Sequence, residues 1–178
     1  MNITDTLSKY AEYNNMANKE LILILEPLGT TKLEEPVGSY FKTLGGILNH
    51  MATADLVWFP RLKDQGIWPT EELEALEALP KVQYGQKVFG TWEEFKTLRR
   101  ELDRLWMKVA ENFPMEKDNQ VVEYTTFQGS LARVPLGGIL LHLFNHQTHH
   151  RGAISQILDV WNISNDYSGL NKVFLLPI

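Results

Sequence analysis

The chain has 178 residues, 44% of them hydrophobic, with a formal charge of -5 and no cysteine. That length suits one domain, 1–178, with a substantial core. The 17 basic residues against 22 acidic ones leave no surplus to neutralise phosphates, so nucleic acid is not an expected partner. Without cysteine there can be no disulfide, thiolate metal ligand or protein-borne thiol nucleophile. The first ten residues are polar and mixed in charge, and no apolar run approaches the ~18 residues that a bilayer span needs. A cytoplasmic protein without a membrane partner is expected.

Helical periodicity runs through four long segments, with neither a repeat nor a low-complexity tract between them. The first is predicted over Thr4–Leu25, with Leu7, Tyr10, Ala11, Leu21 and Leu25 on one stripe and Pro27 ending it. Asn14 and Asn18 project onto the same stripe, and buried amides persist only with partners, so they predict hydrogen bonds between helices. The second covers Ser39–Leu62, where Leu44, Ile47, Leu48, Met51, Trp58 and Leu62 share a face. Asp55 intrudes on that face; a buried carboxylate needs a cation or a donor, and Arg151 or an imidazole N–H is the candidate.

A long connection, Lys63–Gly90, holds one short helix at Thr70–Leu79, whose Glu71 and Glu72 suit its positive N-terminal end; its acidic run reads as a solvated face. The third long helix opens with Thr91-Trp92-Glu93-Glu94, a capping box in which the Thr91 hydroxyl and Glu94 carboxylate satisfy free amide donors. Its stripe is Trp92, Phe95, Leu98, Leu102, Leu105, Trp106, Val109 and Phe113. Val121–Phe127 and Leu131–Val134, rich in β-branched and aromatic residues around Gln128-Gly129-Ser130, predict a hairpin. The fourth helix runs from Pro135 to Trp161. The whole is all-α with a small β insertion, and its long crossovers permit bundle topologies other than simple up-and-down.

The fourth helix carries four of the five histidines, His142, His146, His149 and His150. Residues four apart on a helix lie one turn above each other, so two imidazoles at that spacing can chelate one cation; His142/His146 and His146/His150 both qualify. Projection separates them. His146 and His150 flank the apolar face of Leu136, Ile139, Leu140, Leu143, Ile154, Ile157, Leu158 and Trp161, while His142 and His149 lie further round, as supporting or surface residues. His50, beside Ala54 and Val57, sits at the edge of the second helix's stripe and can converge with them. Two readings stand: core histidines bonded to neighbours, or a metal site. Burying two imidazoles without a strong partner costs on the order of 1 to 3 kcal/mol each.

Tyr13-Asn14 with Ala17-Asn18, Leu48-Asn49-His50 with Ala54-Asp55 and Trp58, and above all His142-Leu143-Phe144-Asn145-His146-Gln147-Thr148-His149-His150-Arg151-Gly152 resemble the DinB family of damage-inducible, YfiT-like metalloproteins. The likeness covers nearly the whole chain in order; the tail from Asn165 to Ile178 matches loosely, and Ala153 stands where relatives commonly have glutamine. The resemblance implies a four-helix bundle with a long crossover, here between helices two and three, and the β-hairpin read from the residues above then stands before helix four. It also implies a homodimer and a divalent metal held by His50, His146 and His150.

Three neutral imidazoles leave an open coordination position, as in catalytic zinc sites. Nitrogen ligands suit several divalent ions, with zinc or nickel the leading candidates. Such a centre can bring the pKa of water to about 7 or hold a thiol as thiolate. The expected function is a metal-dependent hydrolase or thiol S-transferase acting on a small-molecule electrophile, with a low-molecular-weight thiol as co-substrate. Bacillithiol S-transferases and mycothiol-dependent maleylpyruvate isomerase, which are similar to this family, support the thiol version by analogy. The alternative is a non-catalytic metal-binding stress-response protein with a structural ion. No residue is singled out as a general base, and no other catalytic fingerprint stands out.

Overall fold

The computed structural model describes residues 1–175, and the expected domain's last residues, 176–178, lie outside them. The chain is mostly helical with one two-stranded antiparallel hairpin. The four long helices expected from the sequence are α1 (Ile3–Leu25), α3 (Leu44–Leu62), α5 (Trp92–Glu111) and α6 (Leu136–Val160); two short ones are α2 (Gly29–Leu33) and α4 (Leu73–Ala78). Helix α1 packs against α5 and α6, and α3 against the same two.

Helix ends follow from local capping. Asn2 caps α1 in a reciprocal box with Asp5, and Thr91 and Glu94 form the expected box at α5, with bonds of 3.2 Å and 3.1 Å in the two directions. Helix α1 ends at Leu25, before Pro27 as expected, and a 3-10 turn, Glu26–Leu28, leads into α2, which the sequence pattern did not disclose. Helix α3 begins at Leu44 rather than Ser39. The Thr43 hydroxyl accepts from Gly46 N at 2.9 Å, Lys42 takes a positive φ of 69°, and Pro36 bridges Thr43. Residues 39–43 are therefore a turn, and that turn carries Phe41.

In the long connection, a 3-10 turn at Thr70–Glu72 precedes α4. Glu72 departs from the expected solvated face, being buried and paired with Arg104 at 2.7 Å. Strands β1 (Val121–Thr125) and β2 (Leu131–Pro135) pair Val121 with Pro135 through Thr125 with Leu131. The turn between them uses Gly129 at φ 83°, a conformation glycine adopts freely. Among the described residues no helix is long and apolar enough to cross a membrane.

The core falls into two apolar clusters. One holds Phe59, Trp68, Trp106 and Phe144; the other holds Leu25, Leu44, Leu48, Phe95, Ile154 and Leu158. Each long helix passes from one cluster to the other near the place where it contributes buried polar residues: Asn14 and Asn18, Asp55, Arg99 and Asp103, Gln147 and Arg151. A polar layer thus crosses the interior, and the histidines lie at its level on α3 and α6.

Candidate metal centre

His50 from α3 and His146 and His150 from α6 present ring nitrogens that all lie within 4.8 Å of one another. The Nε2 of His146 is 3.0 Å from the Nε2 of His50 and 3.0 Å from that of His150. One turn of helix separates the α6 pair, as the spacing of four residues requires. His142 and His149 are exposed and outside the cluster, their rings 6.2 Å from His146 and 4.9 Å from His150 respectively. Ala153 is exposed on the outer side of α6.

Hydrogen bonding alone does not account for this cluster. A ring nitrogen has either one proton or one lone pair in its plane, so the Nε2 of His146 can satisfy one of its two short contacts. Protonation is opposed as well. Burial, reinforced by the neighbouring imidazoles, pushes His146 down to about 3 and His150 down to about 4, and burial also lowers His50. Three neutral rings then each keep one nitrogen lone pair that a cation can recruit. Two nitrogens at zinc-bond lengths of about 2.0–2.1 Å are roughly 3.3 Å apart at a tetrahedral angle, close to the spacing seen. The donor set fits a divalent cation.

The residues around the triad are fixed by the polar layer. Gln147, between the two α6 histidines in sequence, donates to Met51 O at 3.2 Å and to both oxygens of Asp55 at 3.1 Å. Asp55 also pairs with Arg99 at 2.7 Å. Arg151, the cation expected to serve Asp55, instead donates to Asn14 Oδ1 at 2.5 Å and Asn18 Oδ1 at 3.1 Å. The asparagines do bond between helices, as expected, since their amides also donate to Asp103 of α5. Arg99 and Gln147 escaped the sequence reading. Arg99 carried a usable signal: it lies four residues after Phe95 and three before Leu102, inside the apolar stripe.

Phe41 covers one side of the cluster, its ring stacked on His50 at 4.5 Å and edge-on to His150 at 5.3 Å. Beside it a cavity of about 460 Å³ is lined by Tyr40, Asn49, His50, Thr53, Tyr84 and Phe127, among others. The volume lies in the range of small-molecule sites. Three connections meet there: the turn before α3, the segment after α4, and the tip of the hairpin.

A family model described as the DinB family matches residues 1–160. Among curated proteins, the chain is 21% identical over 161 residues to Protein DinB of Bacillus subtilis (strain 168), an alignment covering 88% of this chain and 86% of that protein. No solved structure matches the chain.

Proposed function

The chain belongs to the DinB family, and from that premise we propose that it holds a divalent metal ion through His50, His146 and His150 and is a metal-dependent enzyme of hydrolase or thiol S-transferase type. Its substrate is a small-molecule electrophile, and the four long helices act as a single bundle that frames the site. The observation that carries this reading is the doubly contacted His146 nitrogen, 3.0 Å from two other imidazole nitrogens. Zinc and nickel suit three nitrogen donors. When bound, such an ion supplies Lewis acidity that makes water or a thiol a nucleophile near neutral pH.

The chain's own contribution is orientation and access. Asp55 and Gln147 lock α3 to α6 at the level of the ligands, and Phe41 screens one side from water. The cavity lined by Phe41 and His50 gives a substrate access to the edge of the site. An ion that only ties α3 to α6 is the second reading, favoured by the origin of the ligands on two helices. The hydrogen bonds of Gln147 already make that tie, which supports the enzyme.

Elemental analysis of tag-free protein tests the site. Near-stoichiometric metal is expected in the wild type, with loss in His50→Ala and His150→Ala and retention in His149→Ala. Full metal content in the first two variants would overturn the ligand assignment. Turnover in a screen of thiols against electrophiles, lost together with the metal, separates the enzyme from the structural ion.

A further inference from the structure

The cavity beside His50 is distinguished by the absence of charge from its walls. Its lining residues are Tyr40, Phe41, Gly46, Asn49, His50, Thr53, Tyr84, Gly85 and Phe127, with no lysine, arginine, aspartate or glutamate. The two small polar side chains are already committed. Asn49 donates to Gln86 O and accepts from Val88 N, each at 2.8 Å, and the Thr53 hydroxyl donates to Asn49 O at 2.8 Å. The Tyr40 and Tyr84 hydroxyls make no side-chain hydrogen bond among the described residues, and so are free to meet a ligand.

Two aromatic rings at the mouth stand in water: Tyr40 is 91% and Phe127 83% exposed. Large apolar groups gathered at a cavity mouth mark a binding surface more often than isolated ones do. Tyr84 meets Phe127 edge-on at 5.8 Å, so the hairpin tip and the segment after α4 form one aromatic wall. Arg61, whose charge reaches Tyr84, is turned to the faces of Trp58 and Tyr124 at 5.1 Å and 5.4 Å. It also donates to Thr125 O at 3.4 Å.

We propose that this cavity binds a neutral aromatic molecule, held by ring contacts and by the two tyrosine hydroxyls, and that such a molecule is the substrate class of the site. The second half rests on the function proposed above; the first does not. The lining side chains offer an anion no cation, so its desolvation would be offset only by the ion proposed at His50. A cation would find aromatic faces, but one face of Phe41 is taken by His50 and no carboxylate lines the cavity.

The neutral fluorophore N-phenyl-1-naphthylamine reports occupancy in the full chain, as purified and again after chelation of any bound metal, and the chelated chain gives the ranking set by the walls alone. Three competitors built on one ring system then sort by charge: 2-naphthol, naphthalene-2-sulfonate and trimethyl(2-naphthylmethyl)ammonium. Saturable fluorophore binding is expected, with 2-naphthol displacing it at about tenfold lower concentration than either charged competitor. Phe127→Ala and Tyr84→Ala should weaken fluorophore binding by about fivefold or more, and His149→Ala should leave it unchanged; both aromatic changes are at surface connections, where folding is retained. Equal or better displacement by a charged competitor, full binding in both aromatic variants, or no saturable binding would overturn the inference. Metal content measured on the same preparations keeps the two readings apart. Neutral preference in a chain purified without metal sinks the enzyme and with it the substrate assignment, leaving the binding half; metal without neutral preference sinks only this inference.

Discussion

Arg99 of α5 meets Asp55 of α3 at 2.7 Å, with both side chains shielded from water. The same guanidinium reaches Asp103 at 2.9 Å, and Asp103 accepts from Asn14 and Asn18 of α1. Arg151 of α6 completes the layer by donating to those asparagines. Two cations and two carboxylates thus join all four long helices. Buried ions are tolerated when paired, and breaking a pair leaves an uncompensated charge. Arg99→Met should lower the unfolding free energy by about 3–5 kcal/mol, read from urea midpoints with the slope unchanged. A loss below about 1 kcal/mol would mean the two carboxylates find other partners.

The pH response of the layer has a definite sign. Burial, opposed by Arg99 and Asn18, raises the Asp103 carboxyl from 3.8 to about 6. Between those values the folded chain binds a proton that the unfolded chain has released, so stability falls as pH rises. The contribution is fully present below 3.8 and lost through about 6, worth about 3 kcal/mol at most. Urea unfolding at pH 4, 5, 6 and 7 checks this against Asp103→Asn, which resembles the protonated acid. The wild type should lose ground relative to the variant up to pH 6 and run parallel above it; a constant difference would contradict the shifted carboxyl.

What could be read from the sequence was what depends on neighbours along the chain. The Thr91–Glu94 box spans three residues and forms as expected. The separation of His146 and His150 from His142 and His149 follows from helical angle, and the structure keeps that division. Partners distant in sequence were less legible. Asp55 needed a cation, but Arg99 and Arg151 both lie near apolar stripes, and only the packing of α3 on α5 selects Arg99. The expected start at Ser39 moves to Leu44, because the left-handed residue Lys42 breaks the helical path and the Thr43 side chain caps α3. The aromatic cavity was invisible for the same reason, since Tyr40, Tyr84 and Phe127 come from three separate connections.

Gly46 tests how tightly the turn is held against the site. A Cβ there would lie 2.2 Å from the carbonyl oxygen of Phe41, and that backbone must move to admit it. Gly46→Ala should therefore cost about 1–3 kcal/mol, seen as a drop in Tm of roughly 2–4 °C per kcal/mol. It should also shift Phe41 from the His50 ring, on which it stacks at 4.5 Å, observable as a change in the His50 ring-proton resonances. An unchanged Tm would show that the turn yields freely.

Chelation separates the ion's role in the site from a role in the fold. Small metal-dependent folds lose their structure without the ion. Here Gln147 bridges α6 to Met51 and Asp55, and two apolar clusters stand on either side of the polar layer. The chelated chain should retain its far-ultraviolet helical signal and unfold cooperatively, at a lower Tm set by mass action alone. Collapse of the helical signal on chelation would favour the structural ion.

Proton competition provides the most direct test of the triad's environment. Three ordinary imidazoles, each with a pKa near 6.5, would lose apparent metal affinity by about 10⁴-fold between pH 7 and pH 5, because protons occupy the lone pairs the ion needs. In this chain His146 is pushed down to about 3 and His150 to about 4, chiefly by burial, and His50 also lies below its ordinary value. Their lone pairs stay available as the solution is acidified. Apparent zinc affinity, measured against a competing chelator of known pH behaviour, should fall by less than about thirtyfold between pH 7 and pH 5, the limit set by an ordinary His50, and steeply only near pH 4. A fall of several decades by pH 5 would mean that water reaches these rings freely, and the site would then lack the dry surroundings that sharpen its electrostatics.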